Sequence, residues 1–328
     1  MVRRFRSLVA LCTALVGIGC GSSDSGASSA GSDTGSDSDF EQPGLDDPTA
    51  REWQKAGAWY PEDHRELDEA VQALLDEVDA EPRRATAILP PHASLRYSGP
   101  TGKEVWARVE IPDTVLIFAP DHWGDGEHAA IWTEGPWLVP GHAVEIDRDL
   151  TDKVRDALPD LVSDRVAFSH HETEMLLPWL TTLNPDVKIV AVAIFDNEHN
   201  EYPAFDVERI EAWGATVAEL LRSEAEAGRD VLLLGTTDLV HHETLALSDE
   251  QDTAVMDLIV DLDVEGLFNY ITDNEVSVCG EIAVSIMMVA LRELGHTDME
   301  LLRRGNSFHV QMDDSDIIGY PAAAAWAL

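Results

Sequence analysis

Ala85-Thr-Ala-Ile-Leu89-Pro90-Pro91-His92-Ala-Ser-Leu-Arg-Tyr97-Ser98-Gly99 is an apolar run of strand length whose following loop carries a histidine. The arrangement recurs twice. Thr114–Ala119 is followed by Pro120-Asp121-His122-Trp123-Gly124, and Val231–Gly235 by Thr236-Thr237-Asp238-Leu-Val-His241-His242. Val187–Ile194 is a fourth apolar run, and helical patterning covers residues 64–79, 206–226, 249–261 and 280–294. Strands alternating with helices predict one α/β domain, with a central, largely parallel or mixed sheet flanked by helices. Ligands in such sheets bind at the carboxyl ends of the strands. His92, His122, Asp238 and His241 are therefore expected on one rim. One histidine in a loop is ordinarily a satisfied polar residue; three at equivalent topological positions point to a convergent His/Asp site.

The chain has 328 residues, with 22 Lys+Arg against 62 Asp+Glu and a formal net charge of −40. So acidic a surface repels phosphate backbones and anionic lipid, which excludes nucleic acid as a partner. Arg3, Arg4 and Arg6 followed by the apolar stretch 8–18 read as an export signal over residues 1–19. Gly17-Ile18-Gly19-Cys20 resembles a lipobox, so Cys20 is expected to carry lipid; a plain secretory signal is the alternative. Residues 20–48, rich in Ser, Gly and Asp, cannot bury apolar surface and predict a disordered tether ahead of a folded domain at 49–328. The expectation is export to a bacterial cell envelope, with a lipid at Cys20 as the only membrane contact. Cys12 leaves with the signal and Cys20 is lipidated, so Cys279 remains as a solitary thiol.

Several segments resemble the Memo family, known in bacteria as AmmeMemoRadiSam system protein B. Pro90-Pro91-His92 through Gly99 is similar to the family's PHAGYxYSG, with Ser94-Leu95 in place of Gly-Tyr. FAPDHWGDG resembles GPNHxG, HHETEMLLPWL resembles HSxExxLPFL, and LGTTDLVHHE resembles SSDxSHY. SVCGEIA and IGYPAAAA match its CG and VGYAAA segments, so the likeness runs in order over residues 82–328. The resemblance implies a fold like that of class III extradiol dioxygenases and a metal held by His92, His122 and Cys279. It places Asp238 and His241 in the same pocket as candidate acid/base groups or as residues that orient the ligands.

Two imidazoles and a thiolate form a borderline-soft donor set suited to one divalent metal, iron ahead of copper or zinc, and unsuited to calcium or magnesium. Three protein donors would leave a coordination position open. Tyr97, Asp121, Trp123, His171, Glu174 and His242 are candidate pocket residues. His171 and Glu174, three apart, would share a helix face, where Glu174 orients the histidine or forms a surface ion pair. No phosphate-binding glycine loop and no G-x-S-x-G elbow follow any strand. Three readings stay open: a metal-dependent redox or oxygenase-like enzyme, a metal-binding protein without turnover, and a module that binds a small molecule or peptide.

Overall fold

The four apolar runs form the middle of the sheet. β1 (Ala85–Leu89), β2 (Thr114–Asp121), β3 (Ala129–Ile131), β4 (Trp137–Val139), β5 (His142–Ile146) and β6 (Val162–Ser163) come from the first half of the chain. β7 (Lys188–Phe195), β8 (Val231–Gly235), β9 (His241–Glu243), β10 (Glu300–Asn306) and β11 (Ile317–Trp326) follow. This computed structural model describes residues 41–158, 160–195 and 205–328. The signal, the lipidation at Cys20 and residues 20–40 lie outside the described residues.

The strand order is β10-β11-β1-β8-β2-β7-β3-β6, with β4, β5 and β9 paired off this path. β1, β8, β2 and β7 are mutually parallel. The outer pairings β1–β11, β10–β11 and β3–β7 are antiparallel. The sheet is thus mixed, with a parallel centre, as expected. All eight residues of β2 are buried, so apolar side chains serve both faces. Leu116 and Phe118 join one core layer, while Val115, Ile117 and Ala119 join the other.

Helices cover both layers. α1 (His64–Leu75), α2 (Leu95–Trp106), α3 (Arg148–Ala157), α4 (Leu177–Leu183) and α5 (Val207–Glu226) precede β8. α6 (Leu245–Val260), α7 (Val264–Asn274), α8 (Glu281–Leu294) and α9 (Phe308–Gln311) follow it. Residues of α5 and α8 pack into the Leu116/Phe118 layer, and residues of α1, α2 and α4 into the opposite one. Part of the large acidic content caps helices: Asp63, Asp147, Asp206 and Asp263 each accept a backbone N–H of the first turn.

Local chemistry accounts for the departures from expectation. α6 starts at Leu245 because the Thr244 side chain accepts from Leu247 N–H and caps it there. α2, which contains Gly99, Pro100 and Gly102, lies outside the stretches of helical patterning. The Ser98 hydroxyl donates back to the Ala93 carbonyl and helps close its first turn. The compact unit begins at Gln42, ahead of the boundary at 49. The Gln42 amide donates to the carbonyls of Val139 and His142 and accepts from Gly141 N–H. No helix among the described residues is long and apolar enough to cross a membrane.

Candidate metal centre

The parallel centre sets the site, since the carboxyl ends of β1, β2 and β8 open on the same rim. β1 runs into Pro90-Pro91-His92, β2 ends at Asp121 and hands over to His122, and β8 leads into Thr236-Thr237-Asp238. The fourth contributor is the segment ahead of α8. A bridge between Val240 and Val278 holds it beside the Asp238 loop and brings in Cys279.

His92 is buried, at 1% exposure, and its tautomer follows from its partners. The Thr236 hydroxyl has one proton and donates it to the Pro90 carbonyl at 2.8 Å. It can therefore only accept from His92 Nδ1, 3.0 Å away. The proton sits on Nδ1, and the Nε2 lone pair is free. That lone pair faces His122 Nε2 at 3.3 Å and Cys279 Sγ at 3.4 Å. The three donor atoms lie within 4.8 Å of one another. With bonds of about 2.0–2.1 Å to nitrogen and about 2.3 Å to sulfur, a tetrahedral ion separates its donors by about 3.3–3.6 Å. The spacing fits a metal, and a locked imidazole is the usual support of a metal-binding histidine.

The Cys279 sulfur sits between both backbone groups of Asp238, with the carbonyl oxygen at 3.6 Å as an acceptor for its S–H. The same sulfur accepts from Asp238 N–H at 3.2 Å and lies just ahead of the N-terminus of α8, where the helix dipole favours negative charge. Gly280 makes that turn, with φ of 80°. A Cβ there would stand 2.5 Å from the Thr236 carbonyl oxygen. Gly280→Ala is expected to cost about 1–2 kcal/mol for the left-handed backbone alone. It should also push Cys279 out of place, so thermal melting and metal titration should deteriorate together. Lowered stability with unchanged metal binding would separate the turn from the placement of the thiol.

Burial dominates the electrostatics. His92 is held well below the usual histidine range by burial, and then by the nearby His122, His171 and His241. Burial likewise brings His122 down to about 4, with His241 and His170 adding to it. The imidazoles are neutral at neutral pH, the form that binds metal. Asp238 moves the other way. Burial pushes its carboxyl up to about 7, against the pull of the His92 and Ala93 amides that it accepts from.

A pH dependence follows for the metal-free protein. Between about pH 4 and 7 folded Asp238 keeps a proton that the unfolded chain, with its carboxyl near 3.8, has released. The folded state binds the extra proton, so this contribution to stability falls as pH rises through that window and is level above it. The Tm of the wild type minus that of Asp238→Asn should therefore decline from about pH 4 to 7. A constant difference would mean that the carboxyl is not held up.

The other expected residues separate into those the rim brings together and those it does not. His241 begins β9, half-buried, close enough to both His92 and His122 to depress their protonation. His171 stacks near His122, with ring centroids 5.7 Å apart, and packs edge-on against Trp59. Asp121 shapes the His122 loop: its Oδ1 accepts from the Trp123 and Gly124 amides. Trp123 is exposed and stacks on His170. Tyr97 is a half-buried residue of α2, close to Tyr320.

Two pocket assignments are corrected. His242 turns to solvent and bonds Asp316 at 2.8 Å, its backbone in the left-handed region at φ of 62° where the pairing of β9 with β11 is irregular. Glu174 does not share a helix face with His171, since residues 169–173 are bends and turns. Its buried carboxylate instead accepts from Arg51, Tyr60 and the amides of Gln54 and Lys55.

Sequence reasoning missed Thr236 as the tautomer lock, and also Glu172 and Tyr320. Glu172, 4% exposed, lies between His122 and His171, and burial pushes its carboxyl up to about 8. Tyr320 is buried, and its phenol is raised by that burial and further by Asp238 and Tyr97. No spacing pattern flags any of the three. The one available signal for all three was their membership in segments already quoted.

An α/β protein whose parallel strand ends gather two imidazoles and a thiol belongs to the class of metal-competent rim sites. The comparisons narrow that class. The sequence profile described as Memo-like protein matches residues 51–324, and the chain belongs to the Memo family. A MEMO1 family protein of Methanosarcina barkeri is 28% identical over 269 residues, covering 81% of this chain and 96% of its own. One from Methanothermobacter thermautotrophicus is 29% identical over 73% of this chain and 83% of its own. A crystal structure of an uncharacterized protein from Escherichia coli K12 aligns with 73% of this chain and 99% of its own, at TM-score 0.42 and 14% identity.

Proposed function

We propose that this Memo-family chain is an exported, lipid-anchored metalloenzyme. In this reading His92, His122 and Cys279 hold one divalent metal, iron ahead of copper or zinc, for redox or oxygenase-like chemistry on a small molecule. The observation that carries it is the locked His92 tautomer, whose free Nε2 converges with a second imidazole and an amide-stabilised sulfur. An ion bound by three protein donors supplies a Lewis-acidic, redox-capable open position. Thiolate donors favour iron, copper or zinc over the hard cations.

The chain's own groups supply proton handling. The Asp238 carboxyl, raised to about 7, is suited to exchanging protons at neutral pH. His241 stands close enough to accept or return one through substrate. Trp59, packed edge-on against His171, also lines a 660 Å³ cavity with Tyr60, Leu95 and Arg96, which offers apolar contact to a small molecule or peptide; Glu62, Asp63 and Glu66 make the rest of its charged lining acidic. Export rests on Arg3, Arg4, Arg6 and the apolar stretch ahead of Cys20.

A non-catalytic metal-binding role is the second reading, favoured by Ser94-Leu95 in the first motif. Metal analysis of anaerobically purified protein, followed by dioxygen uptake with catechols and thiols, decides between the two. Turnover that Asp238→Asn abolishes while metal is retained supports the enzyme. Bound metal without dioxygen consumption supports storage, and absence of metal binding overturns both.

A further inference from the structure

Glu172 is an unresolved electrostatic problem in the fold as it stands. The residue is 4% exposed, and its Oε1 has no hydrogen-bond partner among the described residues. That oxygen lies 3.5 Å from His122 Nε2 and 3.6 Å from His171 Nδ1, longer than hydrogen bonds of 2.7–3.2 Å. Asp121, 1% exposed, is near enough to repel it, and the Asp121 Oδ2 is also buried without a partner. Two buried carboxyl groups thus each keep an oxygen without a hydrogen-bond donor among the described residues, and that of Glu172 points between two imidazoles.

We infer that His122, His171 and Glu172 form a second, outer position for a divalent transition metal, sharing His122 with the inner triad. The donor atoms of these three residues lie within 4.8 Å of one another, as those of the inner set do. The 3.5 and 3.6 Å separations are close to the donor spacing of about 3.4 Å expected around an ion with bonds of about 2.0–2.2 Å to nitrogen and oxygen. The four residues His92, His122, Cys279 and Glu172 do not make one such set; the two groups meet only at His122. They are therefore two positions rather than one four-donor site. His122 Nε2 has a single lone pair and completes one group at a time.

The donor sets differ in character. The inner one contains sulfur, whereas the outer one is two imidazoles and a carboxylate, a set that takes Fe(II), Mn(II), Co(II) or Zn(II). Their depths differ as well. His122 and His171 side chains are 23% and 15% exposed, against 1% for His92 and 5% for Cys279 as whole residues. The outer position is closer to solvent than the inner one, so a cation arriving from outside meets the carboxylate group first. Glu172 also stands where the motif quoted above has serine, so the carboxylate is an addition on this chain's own part. The inference rests on the metal reading of the inner triad only through the shared His122.

Anaerobic Co(II) titration of metal-stripped full-length protein tests it, because sulfur-to-cobalt charge transfer reports the inner set alone. Cys279→Ser should still take up one Co(II), without that absorption. Adding Glu172→Gln to this background should weaken the remaining binding at least tenfold, and His171→Gln should do the same. Glu172→Gln alone should leave the charge-transfer band in place while slowing its appearance after mixing. The inference is overturned if Glu172→Gln changes nothing in the Cys279→Ser background, because the ion would then sit on His92 and His122. It is also overturned if natively folded Cys279→Ser, checked by circular dichroism, binds no Co(II). A wild type that binds Co(II) without the charge-transfer band would sink the inner triad instead, leaving the Glu172 dependence to decide the outer position.

Discussion

Replacing Glu174 by alanine should destabilise the folded unit by about 3–5 kcal/mol and lower its Tm by roughly 5–15 °C, the expected cost of leaving a buried charge without its partner. Arg51 and Glu174 side chains are 4% and 0% exposed, and Nη1 to Oε2 is 2.5 Å. Removing the carboxylate strands the guanidinium. Its other bonds, to the carbonyls of Phe168, Glu52 and His170, do not neutralise charge. The Tyr60 hydroxyl and the amides of Gln54 and Lys55 lose their acceptor at the same time. An exposed pair is the control. Arg155 and Asp152 are 40% and 62% exposed, so Asp152→Ala should shift stability by less than about 1 kcal/mol. A Glu174→Ala shift no larger than that of the control would show that the buried pair adds nothing beyond a surface bridge.

That pair also shows where sequence reading stops. The three strands feeding the site were legible because each is an unbroken apolar run, and because parallel strands put their following loops on one rim. The outer strands were not. β11 reads Ile-Ile-Gly-Tyr-Pro-Ala-Ala-Ala-Ala-Trp, weak in β-branched residues, and is defined by pairing with β1 and β10. It runs antiparallel to β1, with Ala323 opposite Leu89, so its beginning reaches the rim and delivers Tyr320 there. No local pattern carries that direction. Glu174 was misread because a three-residue spacing implies a shared face only inside a helix. Here the chain bends through 169–173, and the segment's orientation is set from a distance, by Arg51. Glu172 was invisible for the same reason: its meaning lies in His122 arriving from another strand.

Cys279→Ser should lower affinity for the inner metal by about a hundredfold, since losing groups that merely support a ligand already costs about 10–100-fold. Serine keeps nearly the size of the thiol, so the 5%-exposed position stays filled and the protein should remain folded. What it loses is an ionisable donor. The Asp238 amide at 3.2 Å and the N-terminus of α8 stabilise a thiolate, whereas a hydroxyl at the same place stays protonated and is a poor ligand. The comparison with Asp238→Asn is what makes the outcome informative. The asparagine still has the backbone N–H that contacts sulfur and a side-chain oxygen able to accept from His92 N–H. Metal should therefore remain bound in Asp238→Asn and be lost from the inner site in Cys279→Ser. If Cys279→Ser kept full affinity while its Tm fell, the thiol would be core packing. The convergence of His92, His122 and Cys279 would then be a property of the fold and not of a metal site.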